Sequence, residues 1–150
     1  MTYEIRLIDT QSNYYKDVVM LRHDVLRKPI GLTITQEDIE DDKNQYIIIS
    51  LDNEEVVGCL FIKIVSQENV KFRQMAIAEN DQHKGIGRAI ISYAENFCQL
   101  NKYKIIELHA RKSALNFYTK LGFQIIGEEF NEVAIPHFKM LKTLIGEVVL

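Results

Sequence analysis

The stretch Gln82–Ala89 reads QHKGIGRA and runs into IISYAENFCQL, whose apolar residues recur at helical spacing. His83, Lys84 and Arg88 therefore crowd the start of a helix, where unpaired N–H groups already carry partial positive charge. Cations there are unfavourable by roughly 0.3 to 1 kcal/mol each, so these residue types at this spacing point to an anion among them. Gly85 and Gly87 let the backbone curl until successive N–H groups converge. The pattern Q-x-x-G-x-G lacks the Gly-Lys-Ser/Thr ending of a nucleotide P-loop, because Arg88 and Ala89 follow Gly87. A dinucleotide fingerprint also fails, since its third small position is Ile90. Taken alone, the segment is either an anion cradle or a glycine-rich turn with nothing bound.

The rest of the chain bounds what that anion belongs to. With 150 residues, 47% of them hydrophobic, the sequence suits one globular domain. A net charge of -3 and a pI near 5.8 lack the basic excess that a nucleic acid partner requires. No apolar run approaches the ~18 residues of a membrane span, and MTYEIRLIDT has no apolar core behind a basic flank. The expectation is a soluble, cytoplasmic protein with neither membrane nor nucleic acid as partner. Cys59 and Cys98 are isolated, with no C-x-x-C spacing, so neither a metal site nor a disulfide is expected.

The elements that must position the cradle alternate along the chain. YEIRLI (Tyr3–Ile8) reads as a half-buried strand. Tyr14, Val18, Leu21 and Val25 predict a helix between Asn13 and Leu26, with Asn13 as N-cap. RKPIGL breaks that pattern, and TQEDIEDD supports at most a short helical turn. YIIIS, a turn at Asp52-Asn53 and VVGCLFIKIV predict a hairpin. After a turn near Gln67–Asn69 comes VKFRQMAIA, whose apolar positions are even at Val70 and Phe72 and odd at Met75 and Ile77. A β-bulge near Arg73-Gln74 would produce that switch, and so would a strand buried on both faces.

The helix after the cradle carries Ile86, Ala89, Ile90, Tyr93, Ala94, Phe97 and Leu100 on one stripe. KIIELHA then reads as a strand, and SALNFYTKL as a short helix with Ser113 as N-cap and Gly122 as its stop. FQIIGEEF and HFKMLKTLI close the chain as two more strands. The order predicts an α/β domain with one mixed sheet.

RQMAIAENDQHKGIGRAIISYAE, with LHARKSALNFYTKLGF after it, resembles the acyl-CoA-binding core of the GNAT superfamily of N-acetyltransferases, closely over Val70–Phe123. The resemblance implies a single GNAT domain over residues 1–150, with a mixed, mostly antiparallel sheet flanked by helices and a bulged, splayed strand pair that binds acyl-CoA. It implies acetyl-CoA or CoA as cosubstrate and no metal. Gln82, His83, Lys84, Gly85, Ile86, Gly87 and Arg88 would surround the pyrophosphate, and the backbone of Met75, Ala76 and Ile77 would pair with the pantetheine arm. An amine attacks the thioester, and the thiolate leaving group needs a proton, which the resemblance assigns to Tyr118. Asn116 is a further cofactor contact. Arg111 departs from the family, where many members carry asparagine.

No carboxylate or histidine lies at Lys71, Arg73 or Gln74, where some members hold a general base. Glu107, His109, His137 or a water chain remain as candidates. The resemblance draws the acceptor pocket from RHDVLRKPIGL, the acidic run Glu37–Asp42 and the surroundings of His137. The acidic run favours a cationic amine, whereas Arg22 and Arg27 favour an acceptor carboxylate. The leading expectation is an N-acetyltransferase acting on a primary amine of a small molecule, less readily a peptide. The alternatives are a non-catalytic acyl-CoA sensor and a domain whose glycine turn is purely structural. The apolar tail VAIPHFKMLKTLIGEVVL could serve a homodimer.

Overall fold

The computed structural model describes residues 3–144. Its elements run β1 (Glu4–Ile8), α1 (Tyr15–Arg22), α2 (Gln36–Asp42), β2 (Gln45–Asp52), β3 (Glu55–Ile64), β4 (Asn69–Ile77), α3 (Ile86–Leu100), β5 (Ile105–Arg111), α4 (Leu115–Lys120), β6 (Gln124–Glu132) and β7 (Ile135–Thr143). The strands form one seven-stranded sheet in the order β1-β2-β3-β4-β5-β7-β6. The pairs β1/β2, β2/β3, β5/β7 and β6/β7 are antiparallel, and β4/β5 is parallel. The α/β class and the mixed, mostly antiparallel sheet are as the sequence predicts. The chain's contacts divide it into two interleaved compact units, Met1–Lys63 with Arg73–Asn96 and Ile64–Phe72 with Phe97–Leu150.

In the first unit the core gathers Val18, Leu21, Ile47, Ile49, Cys59, Phe61 and Ala76. Ile47, Ile48 and Ile49 are all fully buried, so β2 is apolar on both faces and reads as a continuous run instead of an alternation. The β2–β3 loop is Asn53-Glu54, one residue later than predicted, with φ of +49° and +67°. Positive φ at both positions makes it the tight turn whose twist matches a hairpin. A register shift follows at Ser50/Leu51, and the Val57 carbonyl accepts from the Ala78 N–H at 2.8 Å. Gly58 lies under α3: a Cβ there would come within 2.8 Å of Ile90 Cδ1 and 3.2 Å of Ile86 Cγ2. Glycine leaves room there for the Ile86 and Ile90 side chains, which seat the first turns of α3 on β3.

Several local expectations are corrected. Helix α1 starts at Tyr15 without a side-chain cap, and Ser12 rather than Asn13 serves its entry by accepting from the Tyr14 N–H at 3.1 Å. The helical path then continues through a π turn at His23–Arg27 and a 3-10 turn at Lys28–Ile30, ending on Gly31 at φ +75°. The acidic stretch forms a seven-residue helix, because Thr35 and Asp38 make a reciprocal capping box. In α3 the buried residues are Ile86, Ile90, Ile91, Ala94 and Cys98, while Ala89, Tyr93 and Leu100 are exposed. The predicted stripe is displaced from the buried face, because it takes in Ala89, Tyr93 and Leu100 and leaves out Ile91 and Cys98.

One carboxylate ties α1 to α2. Arg22 is fully buried and donates from both terminal nitrogens to Asp42, at 2.9 Å each, with its guanidinium 4.7 Å above the Phe61 ring. Tyr15 donates its hydroxyl to the same carboxylate at 2.5 Å.

In the second unit β5 alternates cleanly, burying Ile106, Leu108 and Ala110. Helix α4 begins at Leu115 after a 3-10 turn and has no side-chain cap, so Ser113 is not its N-cap. Its end follows the sequence: Gly122 adopts φ +95°, its N–H donates to the Thr119 carbonyl at 3.0 Å, and the Phe123 N–H donates to the Tyr118 carbonyl at 3.1 Å. This pair of bonds is the Schellman closure, which brings the side chains of Tyr118 and Phe123 together. The β6–β7 turn falls at Val133-Ala134, also with both φ positive, so His137 is the third residue of β7 and not its first. The last six residues of the apolar tail lie outside the described residues.

Candidate active site

The cradle lies in the first unit. After β4, a 3-10 turn at Glu79–Asp81 leads into the loop, where His83 has φ +64° and Gly85 φ +83°. Two left-handed residues so close together curl the chain as the glycine pattern predicts, although one of them is a histidine. The Gly85 carbonyl accepts the first helical bond of α3, from the Ala89 N–H at 3.1 Å. The N–H groups of Ile86, Gly87 and Arg88 occupy the first turn, whose donors have no intrahelical acceptors. Gln82, His83, Lys84, Gly85 and Arg88 are exposed around them, while Ile86 is buried and anchors the turn. Gln82 braces the loop by donating its side-chain amide to the Ile77 carbonyl at 3.1 Å. Lys84 stands 3.8 Å from Asp81, whose carboxylate also accepts from the Tyr3 hydroxyl at 3.4 Å.

Strand β4 breaks at Gln74, which has φ +57° within a continuous strand. Positive φ inside a strand is the conformation of a bulge residue, at the position where the parity switch predicts one. Burial does not follow the predicted switch: Val70, Phe72 and Ala76 are buried, whereas Met75 and Ile77 are half-buried. The Gln74 carbonyl accepts from the Cys59 thiol at 3.4 Å, and that of Ile77 from Gln82. Of the backbone read as free around Met75–Ile77, the Ile77 carbonyl is thus already engaged on one side. Burial pushes the Cys59 thiol up to about 12, so it is inert at neutral pH.

The charged groups read as the acceptor side are largely engaged with one another. Arg22 belongs to Asp42, and Arg27 pairs with Asp38 at 3.1 Å. In the acidic run, Asp38 caps α2, Glu40 pairs with Lys43, and Asp41 meets Arg73 at 3.0 Å and Lys63 at 3.5 Å. Most of these charges are thus paired within the first unit. The same region holds an open recess of about 260 Å³ lined by Val19, Met20, His23, Asp24, Thr33 and Ile34.

In the second unit, Asn116 is exposed on α4 and Tyr118 is half-buried, its ring edge-on to Phe117 at 4.9 Å and to Phe123 at 5.8 Å. Burial pushes the Tyr118 phenol up to about 12, so it keeps its proton at neutral pH and can donate it. Glu107 pairs with Lys139 at 3.4 Å. His109 Nδ1 lies 2.9 Å from Glu132 Oε1, and His137 Nε2 lies 3.7 Å from the other oxygen of that carboxylate. Arg111 is half-buried at the end of β5, opposite His137 in the β5/β7 register. Sequence reasoning missed Glu132. The only signal for it was the Val133-Ala134 turn, which carries neither glycine nor asparagine to mark it.

Among the described residues, no group of three or more His, Cys, Asp or Glu side chains is arranged to hold a metal ion. No helix among them is long and apolar enough to cross a membrane.

A family model described as Acetyltransferase (GNAT) domain matches residues 22–144. The uncharacterised protein YyaT of Bacillus subtilis is 27% identical over 81% of this chain and 88% of its own length. A Lactobacillus plantarum protein described as a candidate N-acetyltransferase superposes with a TM-score of 0.86 at 18% identity, covering 97% of this chain and 100% of that one. A GNAT family acetyltransferase from Elizabethkingia anophelis, with acetyl-CoA bound, gives 0.73 at 19% identity over 95% and 98%. At those identities the two structures speak for the fold alone.

Proposed function

Because the chain belongs to the GNAT acetyltransferase family, we propose that it transfers an acetyl group from acetyl-CoA to a primary amine of a small-molecule acceptor by direct attack on the thioester. The observation that carries this reading is the cradle: two left-handed residues, His83 and Gly85, deliver the chain into the bare first turn of α3 among exposed cations. Its donors are all N–H groups and cations, which suits a pyrophosphate. In this reading Gln82, His83, Lys84, Gly85, Ile86, Gly87 and Arg88 hold the pyrophosphate, with Gln82 acting through the Ile77 carbonyl. The backbone of Met75, Ala76 and Ile77 receives the pantetheine arm, and Asn116 is a further contact.

Tyr118 supplies the proton that the departing thiolate needs. Its phenol, held up to about 12 by burial, stays protonated across the working range and so has a proton to offer the departing sulfur. Residues 1–150 act as one catalytic domain in the cytoplasm, and no metal takes part in the reaction.

The test measures the melting temperature with and without CoA, acetyl-CoA, NAD and ATP. A ligand at 100 times its Kd contributes about 2.7 kcal/mol, which raises Tm by several degrees. A rise with CoA and acetyl-CoA alone, followed by thiol release with an amine panel, is the expected result. Gly87→Glu, which sets a carboxylate against the pyrophosphate, should abolish the rise. A rise retained in that variant would defeat the cradle.

A further inference from the structure

The strands of the second unit carry a polar row that neither the cradle nor Tyr118 uses. Parity and register set Lys71 of β4, Glu107, His109 and Arg111 of β5, and His137 and Lys139 of β7 on one face, with Phe130 and Glu132 of β6 beside them. The opposite face is apolar and belongs to α4: Phe72, paired with Leu108, meets the Phe123 ring at 6.5 Å, and Lys142 donates to the Leu121 carbonyl at 2.7 Å. The last pair of the β4/β5 ladder is Phe72–Leu108, so His109 is the first residue of β5 past it.

The hydrogen bonds fix the tautomers. Burial raises the Glu132 carboxyl, but the His109 hydrogen bond and the charges of His109, His137 and Lys71 outweigh it and hold it below the usual carboxylate range. Of the two groups at His109 Nδ1, the Glu132 carboxylate at 2.9 Å is nearer than the Lys71 ammonium at 3.5 Å. An ionised carboxylate only accepts, so Nδ1 carries a proton and donates it to Glu132, leaving the lone pair of the neutral ring on Nε2. His137 is fixed differently, donating from Nδ1 to the Ile135 carbonyl at 2.7 Å. The two rings differ in access, because the His137 side chain is 5% exposed and that of His109 24%. Phe130 stands against both, edge-on to His109 at 5.0 Å and stacked on His137 at 6.0 Å.

We infer that His109 is the general base of the acetyl transfer, with Glu132 as its positioning residue and Phe130 and His137 as the wall behind them. The inference rests on the acetyl-transfer reading above and supplies the role that β4 lacks. The acceptor's ammonium gives one proton to His109 Nε2, and the freed electron pair forms the C–N bond at the thioester carbonyl. The C–S bond then breaks with its pair on sulfur, which takes the Tyr118 proton, and the second proton shed by nitrogen restores the phenol. One proton remains on His109 and leaves to solvent.

The charged groups around His109 give the test its signs. Lys71 from β4 stands 3.5 Å from Nδ1 and opposes a protonated ring; Glu132 from β6 favours it. Glu107 and Arg111 flank it along β5, and Lys139 and His137 face it from β7. The experiment is the pH profile of kcat/KM for thiol release, with NMR titration of the histidine rings, in wild type, His109→Gln, Glu132→Gln and Lys71→Gln. His109→Gln is expected to lower kcat/KM by roughly 100-fold and remove the acid limb, with the CoA-induced melting shift kept. Glu132→Gln should move the limb and the His109 titration to lower pH, and Lys71→Gln to higher pH. An unchanged profile in His109→Gln, or a His109 titration that Glu132→Gln leaves in place or raises, overturns the base assignment while acetyl transfer stands. A wild type that binds CoA yet releases thiol with no amine overturns acetyl transfer itself, and the base with it.

Discussion

Asp42 and Glu132 are built on the same plan and serve opposite ends. Each is a carboxylate shared by two partners from elsewhere in the fold: Asp42 takes Arg22 and Tyr15 of α1, and Glu132 faces His109 of β5 and His137 of β7. The Asp42 side chain is 3% exposed and that of Glu132 46%. The partners of Asp42 keep their protons, since a guanidinium does not titrate and the Tyr15 phenol is raised by burial and by Asp42 itself. The partners of Glu132 are imidazoles, whose ordinary range straddles neutrality. A sealed carboxylate with non-titrating partners can hold a shape. A half-open one between imidazoles can also move a proton.

The sharpest way to break this contrast is to remove one charged member of each cluster. Arg22→Ala strands a buried charge and should cost about 3–5 kcal/mol, lowering Tm by roughly 10 °C or more. Glu132 is itself half open to water and so is its nearer partner His109 in part, so Glu132→Gln should change Tm by no more than about 2 °C. Equal shifts in thermal scans would erase the distinction. Arg22→Met combined with Asp42→Leu removes both charges and should recover most of the loss, because the penalty belongs to the orphaned partner rather than to the missing bond.

A second pair of variants compares two phenols. Tyr118→Phe should lower kcat by roughly 10–100-fold with little change in Tm, if the thiolate depends on its proton. Tyr15→Phe should do the reverse, costing about 1–2 kcal/mol through the lost bond to Asp42 and leaving kcat near wild type. A kcat loss confined to Tyr15→Phe would reverse the roles.

The smallest effect is in the pH dependence of stability. Tyr15 has a folded pKa above its unfolded value, so its contribution is present below about pH 10 and disappears as pH rises, because the unfolded chain ionises first. Glu132 has a folded pKa below its unfolded value, so its contribution is present above about pH 4.3 and is lost as pH falls through the depressed value. Melting curves from pH 3 to pH 11 should show Tyr15→Phe flattening the alkaline limb and Glu132→Gln the acid limb. Tyr118, also raised, leaves part of the alkaline limb intact in Tyr15→Phe.

What the sequence revealed and what it concealed follow from range. The curl of the loop at His83 and Gly85, the Gly122 stop and the break near Gln74 are set by residues within a few positions of one another, where backbone sterics act directly. The first-turn capping of α1 and α4 was misread because asparagine and serine were available as caps but a competing turn took their place. Glu132, and the neutralisation of the acidic run by Arg22, Arg27, Lys63 and Arg73, depend on pairings of 11 to 32 residues in separation. Charge counted along a chain does not say which charges will consume one another in space.

The interleaving of the chain has a consequence for anyone dissecting it. A contiguous fragment holding all of the first unit must run to Asn96 and carries Ile64–Phe72 with it, and one holding all of the second must start by Ile64 and carries Arg73–Asn96. A cut after Asn96 leaves Asn69–Phe72 without the Ile105–Leu108 segment it pairs with, baring a strand edge that includes Val70 and Phe72. Such an edge recruits other chains. Neither half can therefore be expressed, shuffled or inherited as a separable module, and a split-protein design has no clean seam to use.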